Sequence, residues 1–285
     1  MDAYPPRSPA NFRSLAARLP DIPRWVEARG LLLSSCCEVF GLEEQPALSF
    51  VLRDPDVESI FVIGAPDESV LRDVAGQGAP GGVIATPEHG DRVAAALAGW
   101  TRSPIILHVL PSSERLPLPA SGEVGFVGVD ALDGVSIPDD LRRELRAGAE
   151  SSPIAARFVE GAPVAFCYAG SETESLWDVA IDTLEPFRRR GCAGLCASYL
   201  IRHMQMRGKQ PVWASYESYP PSWQLARKLG FVAVDGLVQF DPPDAVALEV
   251  ERLAEGQRFV ARLLSERTGV DVARQTAQGR VNTPH

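Results

Sequence analysis

The stretch PFRRRGCAGLCASYL, Pro186 to Leu200, decides the fold. Three adjacent arginines repel one another, and glycines at a helix start give up local stability, so the segment is shaped for a ligand, and the ligand it suits is an anion. Arg188, Gly191 and Ala193 form an R-x-x-G-x-A arrangement between a predicted strand and a predicted helix. The first amides of a helix have no partner inside it, and the small residues Gly191, Ala193 and Gly194 let a phosphate approach them. The positive end of the helix dipole adds to the attraction, and the arginines supplement it at the rim.

Working outward, LWDVAIDT (176–183) reads as the strand before this turn, and the helix after it runs to about Arg207. Upstream, AARFVE and PVAFCYAG form a predicted hairpin around Gly161, preceded by the helix IPDDLRRELRAGAE, whose first-turn acids suit its dipole. Downstream come the strand PVWASY, the helix SWQLARKLG and a last strand around FVAVDGLVQF. The N-terminal part has its own pattern. It is helix-leaning to about Gly41, and from Ser59 SIFVIGAP, GGVIATP and SPIILHVLP alternate as strands with the helices DESVLRDVAG and DRVAAALAGW. That alternation predicts an α/β unit. The Pro-, Ser- and Gly-rich stretch Ser112 to Val124 predicts a boundary near Ala120. The expected organisation is an accessory α/β domain at 1–119, a second domain at 120–245 and a charged helical tail at 246–285.

Composition narrows the function. The chain has 285 residues, 45% hydrophobic and 23% charged, enough for a folded core. Its formal charge of -9 disfavours nucleic acid as a general partner, because a phosphate backbone needs a basic face. No apolar run approaches the roughly 20 residues that span a bilayer, and the start MDAYPPRSPA lacks the order of a secretory signal. A cytoplasmic protein without a membrane partner is therefore expected. Cys36, Cys37, Cys167, Cys192 and Cys196 include no CxxC pair and read as reduced thiols, mostly buried.

The segment IDTLEPFRRRGCAGLCASYLIRHM resembles motif A of the GNAT acyltransferases, Q/R-x-x-G-x-G/A between a strand and the following helix. PVWASYESYPPSWQLARKLGF resembles the family's next strand and helix, which close on an LGF triplet, here Leu229, Gly230 and Phe231. The resemblance spans about Ile137 to Phe240. The wording DVAIDT, RRRG and PVWAS is similar to a bacterial subgroup with an extra α/β region ahead of the catalytic domain, and that region is one candidate for a worn-down second GNAT half.

The resemblance implies a mixed, mainly antiparallel α/β sheet flanked by helices, preceded by a smaller α/β domain. It also implies transfer of an acetyl or other short acyl group from acetyl-CoA to an amine, small molecule or peptide, in a ternary complex, with no metal. Backbone groups near Ile181 and Thr183 would bond the pantetheine arm, and the amides of Arg188, Arg189, Arg190, Gly191, Cys192, Ala193 and Gly194 would take the pyrophosphate. The family's frequent acid, a tyrosine in the helix before LGF, falls here on Ala226. Tyr216 and Tyr219 are the candidate substitutes, each equally an aromatic lining of the acceptor site, to which Trp213 and Trp223 add. Asp178, Glu172, Glu174 and Glu217 are candidate bases, of which Glu172 and Glu174 read rather as a solvated turn. A non-catalytic coenzyme A sensor or protein-binding module is the rival reading, and a homodimer is a further option for either.

Other motifs carry less. Cys192 at a helix start invites a nucleophilic reading, but no paired histidine is visible. Cys196, Tyr199 and His203 continue an apolar stripe and read as packed. GQGAPG (76–81) satisfies G-x-G-x-x-G, yet it follows a helix and precedes a strand, the reverse of the dinucleotide fingerprint. Asp54 and Asp56 read as a turn.

Overall fold

The computed structural model describes residues 9–243 apart from 44–46, 57, 80 and 136; the expected tail at 246–285 lies outside them. Helices α1 (Pro9–Ala16) and α2 (Val26–Ser34) precede strands β1 (Glu38–Glu43), β2 (Ser49–Arg53) and β3 (Ile60–Ile63). Then come α3 (Glu68–Ala75), β4 (Val83–Ala85), α4 (Gly90–Ala96), β5 (Thr101–Val109), β6 (Val124–Val127) and α5 (Asp139–Ser151). The hairpin is β7 (Ile154–Val159) and β8 (Ala162–Glu172), followed by β9 (Leu176–Thr183), α6 (Cys192–Met206), β10 (Gln210–Tyr216), α7 (Pro220–Leu229) and β11 (Val232–Asp241).

The eleven strands of the described residues form one sheet in the order β1-β2-β3-β4-β11-β5-β10-β9-β8-β7-β6, mostly antiparallel, with β3–β4 and β9–β10 parallel. Alternation along each strand sends residues to opposite faces, and helices cover both. On one face α1 and α2 pack over Phe50, Leu52, Leu107, Val212 and Leu237, and α5 packs over Ile154, Phe166 and Tyr168. On the other, α3 and α4 cover Val62, Val83 and Phe240, while α6 and α7 enclose Trp177, Val179, Trp213 and Phe231.

The expected division at Ala120 is not a break in this sheet. The last strand, β11, lies between β4 and β5, and β5 pairs antiparallel with both β11 and β10. Three strands were also unexpected. Ser49–Arg53 lies in a stretch for which no strand was read. Glu38–Glu43 follows the helices inside a segment read as helix-leaning throughout, and Val124–Val127 forms the sheet edge against β7 in a stretch read as linker. Glu38–Glu43 and Val124–Val127 each carry a glycine and few residues, so what makes them strands is the neighbour's backbone, not local preference.

Long-range ion pairs fasten the N-terminal segment to the rest. Arg24 makes two 2.7 Å bonds to Asp235 of β11, and Arg29 makes two 2.8 Å bonds to Glu174 in the β8–β9 turn. Asp21 accepts from the Thr173 hydroxyl at 2.6 Å and from the Ser175 hydroxyl at 2.7 Å. Glu172 and Glu174 are thus ion-paired rather than merely solvated, since Lys209 reaches Glu172 at 2.6 Å.

Leu107 is 1% exposed on the strand that joins the two halves. Leu107→Ala is expected to cost about 2–5 kcal/mol, the usual range for such a truncation. Denaturant unfolding followed by tryptophan fluorescence and by far-ultraviolet dichroism should shift as one transition; two separated transitions would contradict a single cooperative sheet.

Candidate functional site

Strands β9 and β10 pair over three positions only, Leu176 with Gln210, Trp177 with Pro211 and Asp178 with Val212. Beyond them both strands continue, yet not against each other. β9 stays zipped to β8 as far as Thr183 opposite Ala165, and β10 stays zipped to β5 as far as Tyr216 opposite Ile105. The outer neighbours hold the two strands apart. This fork leaves the β10-facing backbone edge of β9 from Val179 onward without a strand partner, a polar edge that must be satisfied by something else.

Below the fork the chain turns into α6. Arg189 and Gly191 both have left-handed φ, 62° and 82°, and only Gly191 adopts it without steric cost. The Arg188 side chain closes the turn by donating to the Thr183 carbonyl at 3.1 Å. Gly191 provides no side-chain cap, so the amides of Cys192, Ala193 and Gly194 begin the helix without an intrahelical acceptor. A Cβ on Gly191 would meet nothing within 4 Å, whereas one on Gly194 would come to 3.6 Å from Leu225 of α7. The open space at the first glycine leaves room for a ligand; at the second a methyl group would make only ordinary contact with α7.

A cleft of about 860 Å³ occupies this place, lined by Ile181, Asp182, Thr183, Phe187, Arg188 and Arg189 on one side. Gly191, Cys192, Ala193 and Gly194 form its floor, and Trp213, Tyr219, Ser222, Gln224, Leu225 and Lys228 close it from β10 and α7. The Thr183 hydroxyl is buried within the cleft wall without a hydrogen-bond partner. Trp213 is fixed by donating its indole N–H to the Ser222 hydroxyl at 3.0 Å and by an edge contact with Phe231 at 5.3 Å. Among the described residues no group of three His, Cys, Asp or Glu is arranged to hold a metal ion, and no helix is long and apolar enough to cross a membrane.

Most of the residues expected to hold a cofactor therefore gather in one cleft, together with Tyr219. Arg190 does not line it; its guanidinium lies over the Phe187 ring, 5.6 Å from the centroid. Tyr216 and Glu217 are also outside the lining. Tyr216 ends β10 against β5, and the Glu217 backbone bonds Pro104 and accepts from the Trp223 indole. Asp178 sits at the crotch of the fork, on the face under α2 and α5. Burial, then the nearby Glu27 carboxylate, pushes its carboxyl well above the usual range, against the pull of the Val179 and Ala214 amides. Cys192 lines the cleft as a buried thiol, and burial raises Cys196 beneath it to about 12. His203 packs edge-on against Phe126 at 4.8 Å.

The sequence reading overlooked Asp182 and what holds it. Tyr168 of β8, 6% exposed, donates toward Asp182 at 3.2 Å and toward Glu144 of α5 at 3.3 Å. Burial and these two carboxylates push the phenol far above its ordinary range. Nothing local links residues 144, 168 and 182; three elements must pack before they meet. Lys228 and Gln224 had a readable signal, since they lie four apart on one face of α7.

Gly148 of α5 is where Tyr168 needs room, because a Cβ there would overlap the phenol ring. In an open helix Gly→Ala gains roughly 0.5–1 kcal/mol. Gly148→Ala is expected to reverse that sign and lower the melting temperature; an increase would mean that the ring yields freely.

Residues 158–238 match the family model described as GNAT acetyltransferase. No curated protein matches the chain. Among solved structures, a GCN5-related N-acetyltransferase-like protein from Streptococcus suis is 18% identical with a TM-score of 0.59, covering 82% of this chain and 100% of its own. An acetyltransferase of the GNAT family from Colwellia psychrerythraea is 13% identical with a TM-score of 0.54, covering 84% and 99%. A GCN5-related N-acetyltransferase from Kribbella flavida is 15% identical with a TM-score of 0.53, covering 81% and 95%. The fold is that of GNAT N-acetyltransferases, and these likenesses take in the N-terminal segment as well as the matched region.

Proposed function

We propose that this protein is an N-acyltransferase that moves an acetyl or other short acyl group from acetyl-CoA to an amine. The observation that carries the reading is the fork. A peptide-like pantetheine arm has the amide groups to satisfy the unpaired edge of β9 from Val179 to Thr183, and the uncapped amides of Cys192 to Gly194 suit a pyrophosphate at its end. Arg188 and Arg189 line the same cleft and add positive charge. The family match over 158–238 supports the same cofactor.

The thioester supplies the activated acyl group. The chain's own task is to hold the two reactants aligned, which by itself accounts for much of the rate in such transfers. An amine must lose a proton before it attacks, and Asp178 at the crotch of the fork is the candidate to receive it, its proton affinity raised by burial and by Glu27. Tyr219 is the tyrosine in the cleft lining and the candidate donor to the departing sulfur. Ala226, where the family often has its acid, is fully buried on the inner face of α7, and its methyl group has no part in the chemistry.

Calorimetric titration with acetyl-CoA and coenzyme A, followed by thiol release across a panel of amines, tests the reading. Binding with amine-dependent release is expected. Binding without release from any amine would favour the non-catalytic sensor, and no binding would overturn the cleft assignment. Gly191→Val is expected to weaken coenzyme A at least tenfold while the protein stays folded. Tyr219→Phe is expected to lower kcat by roughly 10²-fold or more, the usual scale for a lost proton donor, with the KM for acetyl-CoA little changed.

A further inference from the structure

The proposed base does not stand alone. Alternation along β9 places Asp178 on the same face as Leu176, which packs with α1 and α2, and Ala180, which packs with α5. Asp178 therefore lies at the seam between two covering layers, behind the fork and away from α6. Helix α2 comes down on this seam. The Ser171 hydroxyl donates to the Val26 carbonyl at 3.3 Å, and a Cβ on Gly30 would overlap Ser171. Gly170, next to Ser171, is glycine where a Cβ would stand 3.1 Å from Asp178 Oδ2. Glu27 follows Val26 and shares the Gly30 face of the helix, three residues away.

Helix α2 thus brings a carboxyl from the N-terminal segment, Glu27, close enough to Asp178 of the family-matched region for its charge to act on it. Neither has a cation among the described residues. The arginines and lysine around them are engaged elsewhere: Arg29 by Glu174, Arg24 by Asp235 and Glu88, Arg53 by Glu38, and Lys209 and Arg207 by Glu172 of β8. Asp54, from the turn after β2, adds negative charge toward Glu27. Tyr168, Glu144 and Asp182 form their own hydrogen-bonded group on the α5 side. Asp178 Oδ1 is buried without a hydrogen-bond partner, while both side chains keep a partial opening to solvent. A deep carboxyl pair with an oxygen left over and no cation of its own is complementary to a cation from outside.

We propose that Glu27 and Asp178 together receive the ammonium form of the acceptor, so that the N-terminal segment supplies part of the acceptor site and the acceptors are cationic amines. The role in catalysis rests on the acyl-transfer reading above. Of the two protons the ammonium loses, one passes to Asp178 and then to solvent. The freed lone pair forms the C–N bond, the C–S bond breaks with its electrons on sulfur, and the thiolate takes up the second proton. Glu27 is a positioning residue: its negative charge draws the cation in and keeps the proton affinity of Asp178 high enough for the transfer.

The consequences have definite signs. Burial and Asp54 raise Glu27 from the ordinary 4.5 to about 7. A carboxyl raised on folding favours the folded state at low pH and opposes it as pH climbs through the folded value. Glu27→Gln should therefore raise the melting temperature at pH 8 and leave it unchanged at pH 4.5, so the variant folds. In the full-length protein with ¹³C-labelled carboxyls, Asp178 should titrate at lower pH in Glu27→Gln than in the native chain, with Asp178→Asn identifying its resonance. With coenzyme A present, 1,4-diaminobutane should bind the native protein at least tenfold more tightly than Glu27→Gln, coenzyme A affinity should not differ, and 1-butanol should not distinguish them. Where turnover is measured, kcat/KM for the amine should fall and its acid limb move to lower pH. An unmoved Asp178 titration, or equal diaminobutane affinity in the two proteins, would overturn the proposal. A native protein that binds diaminobutane through Glu27 yet never releases thiol would overturn acyl transfer and leave the cation site standing.

Discussion

Everything at this site follows from a ladder that stops early. β9 and β10 share three residue pairs and then separate, because each is committed along its other edge, β9 to β8 and β10 to β5. A parallel pair has no hairpin to enforce it and is the weaker kind of pairing, so the stronger antiparallel neighbours decide where the two strands go. The opened edge exposes backbone donors and acceptors in mid-sheet. Such groups are costly to leave unmet, and a ligand with its own amides would meet them in the gap.

The fork also explains why α6 starts where it does. Its axis descends from the end of β9, and the left-handed backbone at Arg189 and Gly191 swings the first helical amides under the opening. Helix α6 packs on α7, which carries Gln224 and Lys228, with Tyr219 just before it, to the opposite wall. The two faces of the sheet consequently differ in chemistry. The α6 side is basic at its turn and presents amides; the α2 and α5 side presents the carboxyls Glu27, Asp178, Asp182 and Glu144.

The N-terminal segment is part of this arrangement rather than an appendage. β5 is the outer partner that pulls β10 away from β9, and Arg24 and Arg29 pin the helices before it to Asp235 and Glu174. Removing that segment would leave β10 without its competing neighbour. The expectation of a boundary near Ala120 rested on proline and serine content, which marks a surface crossing of the chain but says nothing of which strands pair across it.

The sequence by itself determined the features that act over a few residues. The Arg188–Gly191–Ala193 turn, the helix after it, the Gly161 hairpin and the apolar strands Ile60–Ile63 and Leu176–Thr183 are each written in adjacent residues, because helix starts, tight turns and alternation depend on neighbours along the chain. Tertiary structure alone decided the insertion of β11 between β4 and β5, the length of the β9–β10 ladder, the Glu144–Tyr168–Asp182 group and the meeting of Glu27 with Asp178. These depend on contacts between residues up to about 150 positions apart along the chain, set by which edges compete for which strands, and no window of local sequence contains that competition.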